Sequence, residues 1–207
     1  VSTAADVVAA LNAGAGPHPT AVLIHGRSGD EDVMWIFERA IPANWLVVAP
    51  RAILAAADGG YSWHPQAQEW PALAAFEPAA AALAGFVGAL PALYAADPER
   101  VTLIGFSQGA AAAFAAVMAT PGLARAIASL VGFLPEDGEP AGAANLSGLP
   151  VFMAAGARDP RIPLARAHAA ADRLRRLGTE LEYQAYQTEH RLNAKGMRDL
   201  RAWLARR

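Results

Sequence analysis

The stretch Val101-Thr102-Leu103-Ile104-Gly105-Phe106-Ser107-Gln108-Gly109, running on into Ala110-Ala111-Ala112-Ala113, decides how the rest of the chain reads. Residues 101–105 form a short apolar, β-branched run, the signature of a strand covered on both faces. The alanine-rich continuation predicts a helix over 108–119. Between them lies G-x-S-x-G, which puts a serine on a sharp strand-to-helix turn and lifts its hydroxyl to the top of a sheet. Gly105 and Gly109 relieve crowding at such a turn, and the alanines let the helix approach the sheet closely. The plainer alternative, a glycine-rich turn with a capping serine, would not require this strand and this helix on either side.

Working outward, similar apolar runs predict strands at 21–25, 46–49, 126–131 and 151–155. A run at 182–186 alternates instead, Leu181, Tyr183 and Ala185 against Glu182, Gln184 and Tyr186, and suggests a wetter face near a sheet edge. Helices are predicted at 74–96, with a break at Pro78, and at 163–177, with Pro163 at a first-turn position and Gly178 just past the end. Asn193 is a candidate N-cap for a last helix carrying Met197, Leu200 and Leu204. Strands alternating with helices predict an α/β fold, a mostly parallel central sheet with helices on both faces. Residues 1–207 read as a single domain without repeats, linkers or a large lid. The longest irregular segments are 51–71 and 135–150, of a length that is often functional.

Composition narrows the function. The 207 residues are 54% hydrophobic and 17% charged, which argues against disorder. A formal net charge of −2 offers no basic surplus for nucleic acid. With no cysteine, disulfides and thiolate nucleophiles are excluded. The uncharged stretch 79–96 is long enough to raise the question of a membrane span. Its Ala/Gly content and Pro91 read instead as a buried or half-buried core helix, so no stable membrane insertion is expected. The first residues lack a basic segment ahead of an apolar one, and the expected location is cytoplasmic. The histidines are dispersed, with no H-E-x-x-H spacing, and neither a metal nor a cofactor is expected.

Four elements together resemble the phospholipase/carboxylesterase family, small α/β-hydrolases that include acyl-protein thioesterases. They are Leu23-Ile24-His25-Gly26-Arg27-Ser28-Gly29-Asp30-Glu31, the elbow Gly105-Phe106-Ser107-Gln108-Gly109, Gly156-Ala157-Arg158-Asp159-Pro160-Arg161-Ile162-Pro163, and a late histidine. They span roughly 20 to 205. Two positions depart from the family's usual pattern. Glu189 stands where relatives commonly have glycine before the catalytic histidine, and Ser28 stands where they usually have glycine after the H-G-R loop.

A serine hydroxyl needs a base to take its proton, and the base needs a third group to orient it. Among five histidines, His25 lies within the H-G loop and is expected to shape it. His18 precedes a strand, His168 sits on a helix surface, and His64 is a possible pocket residue. His190 follows the last strand, the place of the family's catalytic histidine. The acid comes between serine and histidine in chain order. Asp159, just past a strand end and in a context resembling the family's acid loop, is the candidate, with Asp137 as rival. For the oxyanion hole, the residue after the nucleophile supplies one backbone N–H, here Gln108. The resemblance assigns the second to Arg27, whose side chain would remain available for substrate or for pairing with Asp30 or Glu31. Trp63, Phe133, Leu134 and Ile162 are candidate walls of an apolar substrate pocket, Trp63 being equally readable as core.

The expected function is hydrolysis of short- to medium-chain carboxylic esters by a serine esterase through an acyl-enzyme, with a small-molecule ester as partner and a homodimer possible. A lysophospholipase or acyl-thioesterase would use the same triad. A catalytically silent hydrolase fold serving as a binding module is the reading from another class.

Overall fold

The computed structural model describes residues 7–11, 16–65, 70–135 and 142–207. Its strands are β1 (Val7–Leu11), β2 (His18–Ile24), β3 (Leu46–Pro50), β4 (Leu54–Ala55), β5 (Tyr61–Ser62), β6 (Ala96–Phe106), β7 (Ala126–Leu130), β8 (Pro150–Gly156) and β9 (Glu180–Tyr186). The helices are α1 (Glu77–Tyr94), α2 (Gln108–Ala119), α3 (Leu164–Arg176) and α4 (Ala194–Leu204). Short 3-10 turns cover Val33–Ala40, Leu73–Phe76 and Ala143–Leu146.

Seven strands form the main sheet in the order β1-β3-β2-β6-β7-β8-β9. Six run parallel, and β1 pairs antiparallel with β3 at one edge. All six expected strands are present. The alternating sixth is β9, at the opposite edge, and its exposure alternates from Glu180 to Gln184. Ala185 is exposed and Tyr186 buried, against the expected facing, because Tyr186 packs into the core on the α4 side. β1 was not expected: its Val-Val-Ala-Ala-Leu run suits helix as well as strand, and only the partner β3 decides.

Side-chain alternation divides the core in two. Val22, Ile24, Leu46, Val48, Val151 and Met153 pack under α1, α2 and α3. Ala21, Leu23, Val47, Ala49, Phe152 and Ala154 face the 33–40 turn and α4. Helices therefore cover both faces, as expected for an α/β-hydrolase.

Pro78 does not break a longer helix but sits in the first turn of α1, where its missing N–H leaves nothing unpaired. Segment Leu73–Tyr94 is long and apolar enough to cross a membrane by length and composition. In the fold it buries Ala79, Ala80, Leu83, Val87 and Leu90 and packs on α2 and β6. Pro163 is the N-cap of α3 and not a first-turn residue. Asn193 caps α4 as expected, Oδ1 accepting from Gly196 N at 2.9 Å.

The sheet order also positions the site. From β2 the chain leaves toward β3, whereas from β6 it leaves through α2 toward β7, on the other side. The loops that follow these two neighbouring parallel strands therefore diverge. A crevice opens at their carboxyl ends, the usual place for a ligand in an open α/β sheet.

Candidate active site

Ser107 is the whole turn between β6 and α2. Its backbone, φ 54° and ψ −119°, lies in a region L-residues avoid, a conformation that costs on the order of 1–3 kcal/mol and clusters at functional sites. The surroundings hold it there. Ser107 N donates to Leu130 O at 3.0 Å, and Ala110 N donates to Ser107 O at 3.1 Å. The two elbow glycines are required by close approach. A Cβ on Gly105 would lie 2.4 Å from Ala110 N, and one on Gly109 would lie 2.1 Å from Ile24 O.

Asp159 and His190 come from the loops beyond β8 and β9. Asp159 Oδ1 accepts from the N–H groups of Arg161 (2.8 Å) and Ile162 (3.0 Å). Its Oδ2 lies 2.7 Å from His190 Nδ1. One oxygen thus fixes the 159–162 turn and the other orients the imidazole. Since a carboxylate only accepts, the proton is assigned to Nδ1, which leaves the lone pair on Nε2. Nε2 is buried and has no hydrogen-bond partner, Ser107 Oγ included. The ring stands edge-on to Phe106, the neighbour of the serine, with centroids 5.2 Å apart. The two loops are laced together: Ala157 N donates to Tyr186 O (2.7 Å) and Arg158 N to Thr188 O (2.9 Å). Asp137 lies outside the described residues.

The backbone donors expected of an oxyanion hole border the same crevice. Gln108 opens α2, so its N–H has no intrahelical acceptor and sits at the positive end of the helix. Gly26 runs against the serine: a Cβ there would lie 3.3 Å from Ser107 Cβ, and Arg27 follows it. The Arg27 guanidinium pairs with Asp58 at 3.0 Å and not with Asp30 or Glu31. Glu31 is held by Arg51 through two hydrogen bonds, and Asp30 accepts from Asp32 N and Val33 N. Ser28 has φ 61°, the left-handed conformation that favours glycine. It is retained with Oγ donating to Asp58 Oδ1 at 2.7 Å and N donating to Tyr61 O at 2.9 Å. Glu189 is exposed and its φ is not positive, so the backbone there does not require glycine.

His25 shapes its loop as expected. Nδ1 lies 2.7 Å from Gly26 O, and Nε2 accepts from Ala52 N at 3.0 Å. Burial pushes its pKa below the ordinary histidine value, and likewise that of His64. His18 stands half-buried at the start of β2, and His168 is exposed on α3.

None of the expected pocket residues Trp63, Phe133, Leu134 and Ile162 lines the cavity that contains His190. Trp63 is 1% exposed and its Nε1 donates to His25 O at 2.8 Å, which makes it part of the core. Phe133, Leu134 and Ile162 are buried too. Phe133 packs against Trp70 and Phe76. Leu134 borders a cavity of about 360 Å³ along α3, with Arg166, Arg173 and Arg176. The cavity that contains His190 is another, of about 470 Å³, lined by Phe106, Pro160, Arg161, Glu189, His190 and Arg191.

One buried network had no counterpart in the sequence reading. The Gln108 side chain accepts from Trp63 N through Oε1 (2.9 Å) and donates to Ser62 Oγ through Nε2 (2.9 Å). Ser62 Oγ in turn donates to His64 O at 2.8 Å. The residue after Ser107 therefore clamps residues 62–64. Only the polar character of position 108, at the start of an otherwise apolar helix, hinted at this.

The model of the phospholipase/carboxylesterase family matches residues 7–206. The chain belongs to that family. Its relatives in solved structures are distant in sequence and close in fold. A carboxylesterase from Mesorhizobium loti is 23% identical with a TM-score of 0.84, covering 95% of this chain and 92% of that one. The Bacillus cereus carboxylesterase is 18% identical with a TM-score of 0.81, covering 97% and 93%. Esterase PE8 is 24% identical with a TM-score of 0.80, covering 97% and 96%. No curated protein matches the chain. As a phospholipase/carboxylesterase family member with the α/β-hydrolase fold, the chain is a carboxylic ester hydrolase.

Proposed function

We propose that the chain hydrolyses short- to medium-chain carboxylic esters through an acyl-enzyme, with Ser107 as nucleophile, His190 as base and Asp159 as its orienting acid. The observation that carries this is the Asp159–His190 pair at 2.7 Å with an unpartnered Nε2, set against the residue preceding a strained Ser107. Ser107 Oγ adds to the ester carbonyl as its proton passes to Nε2. The N–H groups of Gln108 and Arg27 receive the developing oxyanion, each such donor contributing about 3 kcal/mol. Collapse of the tetrahedral species breaks the bond to the alcohol, which leaves with the proton from Nε2. Water then repeats the sequence on the acyl-serine.

The walls of the crevice come from loops, with no covering helix among the described residues. Short and medium acyl chains are therefore expected to enter from water without interfacial activation.

Ser107→Ala should leave less than about one per cent of wild-type activity, and a fluorophosphonate should label Ser107 alone. Asp159→Asn should lower kcat by up to about 10⁴-fold, since the amide disfavours the required tautomer and stabilises the imidazolium less. Butyrate to octanoate esters should have higher kcat/KM than palmitate esters. A rate jump at an oil interface would contradict the open site. Higher kcat/KM on a lysophospholipid or an acyl thioester would change the substrate class while keeping the triad.

A further inference from the structure

The cavity beside His190 is walled by the two chain segments that carry the acid and the base, Pro160-Arg161 from the first and Glu189-His190-Arg191 from the second. Arg161 and Arg191 are both exposed, and among the described residues neither guanidinium has a hydrogen-bond or ion-pair partner. Arg39, Arg176, Arg198 and Arg201 are likewise unpaired among the described residues, but none of them lines this cavity. Arg27, Arg51, Arg100, Arg125, Arg175 and Arg206 each pair with a carboxylate. Both backbones are anchored, Arg161 N to Asp159 Oδ1 at 2.8 Å and Arg191 N to Glu189 O at 2.8 Å, so the two side chains extend from fixed bases. Glu189 lines the same cavity, and among the described residues its carboxylate is also without a partner. The three side chains sum to a charge of about +1 where they meet.

Which part of an ester lies here follows from the chemistry of the triad. The histidine returns its proton to the departing alcohol, so the alcohol oxygen must come within hydrogen-bond reach of Nε2. The cavity around His190 therefore receives the alcohol portion. Guanidinium groups bind carboxylate and phosphate through paired N–H donors, and a net charge near +1 suits a single negative charge. Resting on the triad proposed above, we infer that Arg161 and Arg191 form a leaving-group subsite selecting esters whose alcohol portion carries one anionic group.

The test compares kcat/KM for four esters: the butyrate esters of 4-hydroxybenzoate (anionic leaving group) and of 4-hydroxybenzamide (neutral), butyrylcholine (cationic), and mono-4-nitrophenyl succinate (anion on the acyl side). Wild type should prefer the benzoate over the benzamide at least fivefold, mainly through KM, and added salt should shrink that preference. The double variant Arg161→Gln/Arg191→Gln should bring the ratio to about one, and Glu189→Gln should raise it. The succinate ester should not follow these changes. A wild-type ratio near one, a ratio unmoved in the double variant, or a preference for the choline ester would overturn the subsite while leaving the triad standing. Absence of Ser107-dependent hydrolysis of all four esters would overturn the triad, and the subsite with it.

Discussion

Gln108→Ala separates two roles of one residue. Its backbone N–H is assigned to the oxyanion, and any residue supplies that. Its side chain is 3% exposed and bonds Trp63 N and Ser62 Oγ, each at 2.9 Å. Truncation leaves the Trp63 N–H buried without an acceptor, a loss of about 1–3 kcal/mol. Ser62 Oγ keeps its own donation to His64 O and loses only a donor, about 0.5–1.5 kcal/mol. Together these predict a destabilisation of about 3 kcal/mol, which for a chain of this size lowers Tm by about 6–12 °C. At a temperature where the variant is folded, kcat should fall by less than about tenfold, because losing an oxyanion donor outright costs about 10²–10³. The assays are differential scanning calorimetry and steady-state hydrolysis of 4-nitrophenyl butyrate. An unchanged Tm with a hundredfold loss of kcat would refute the reasoning, since it would show the side chain acting on the substrate and not on residues 62–64.

Gly156→Ala should impair turnover more than stability: a Cβ there would lie 2.2 Å from Glu189 O and 2.8 Å from Thr188 O, displacing the segment that presents His190. A kcat within twofold of wild type would show that the segment yields without moving the imidazole. Trp63→Ala should destabilise the fold by about 3–5 kcal/mol while leaving acyl-chain preference unaltered, because the indole is 1% exposed. Urea titration and an ester-length series measure the two parts, and a shifted chain-length profile at full stability would return Trp63 to the pocket wall. Burial lowers the pKa of His25 and His64 in the folded state. The unfolded chain therefore binds protons more readily, and stability should be fully present above pH ~6.5 and decline as pH falls below it. Thermal unfolding from pH 8 to 5 checks this. His64→Gln should flatten the decline, and an unaltered slope would exclude His64 as a contributor.

The chain order of chemistry-bearing residues is legible in the sequence alone. A glycine-flanked serine between an apolar strand and an alanine helix implies the elbow, because few other turns reverse strand into helix so abruptly. Asp159 and His190 were legible for a related reason: each follows a strand predicted to be parallel to β6, and such strands deliver their ends to one rim. Local rules also placed α2, the Asn193 cap and the edge position of β9, since capping and alternation are encoded within a few residues. Long-range pairing was not legible. The Val7–Leu11 run becomes a strand only beside β3. The partner of Arg27 is Asp58, 31 residues away and no more conspicuous in sequence than Asp30 or Glu31. By its chemistry Trp63 fits a pocket wall and a core equally, and Phe133 at the β7 end fits a wall. Yet whether an indole faces a crevice or a core depends on what the rest of the chain brings against it, here the His25 carbonyl and the Gln108 amide. Sequence determined the order of the candidate groups and the strand ends that carry them. The tertiary structure alone decided which neighbours surround them, because burial and pairing are properties of segments that meet only once the sheet has formed.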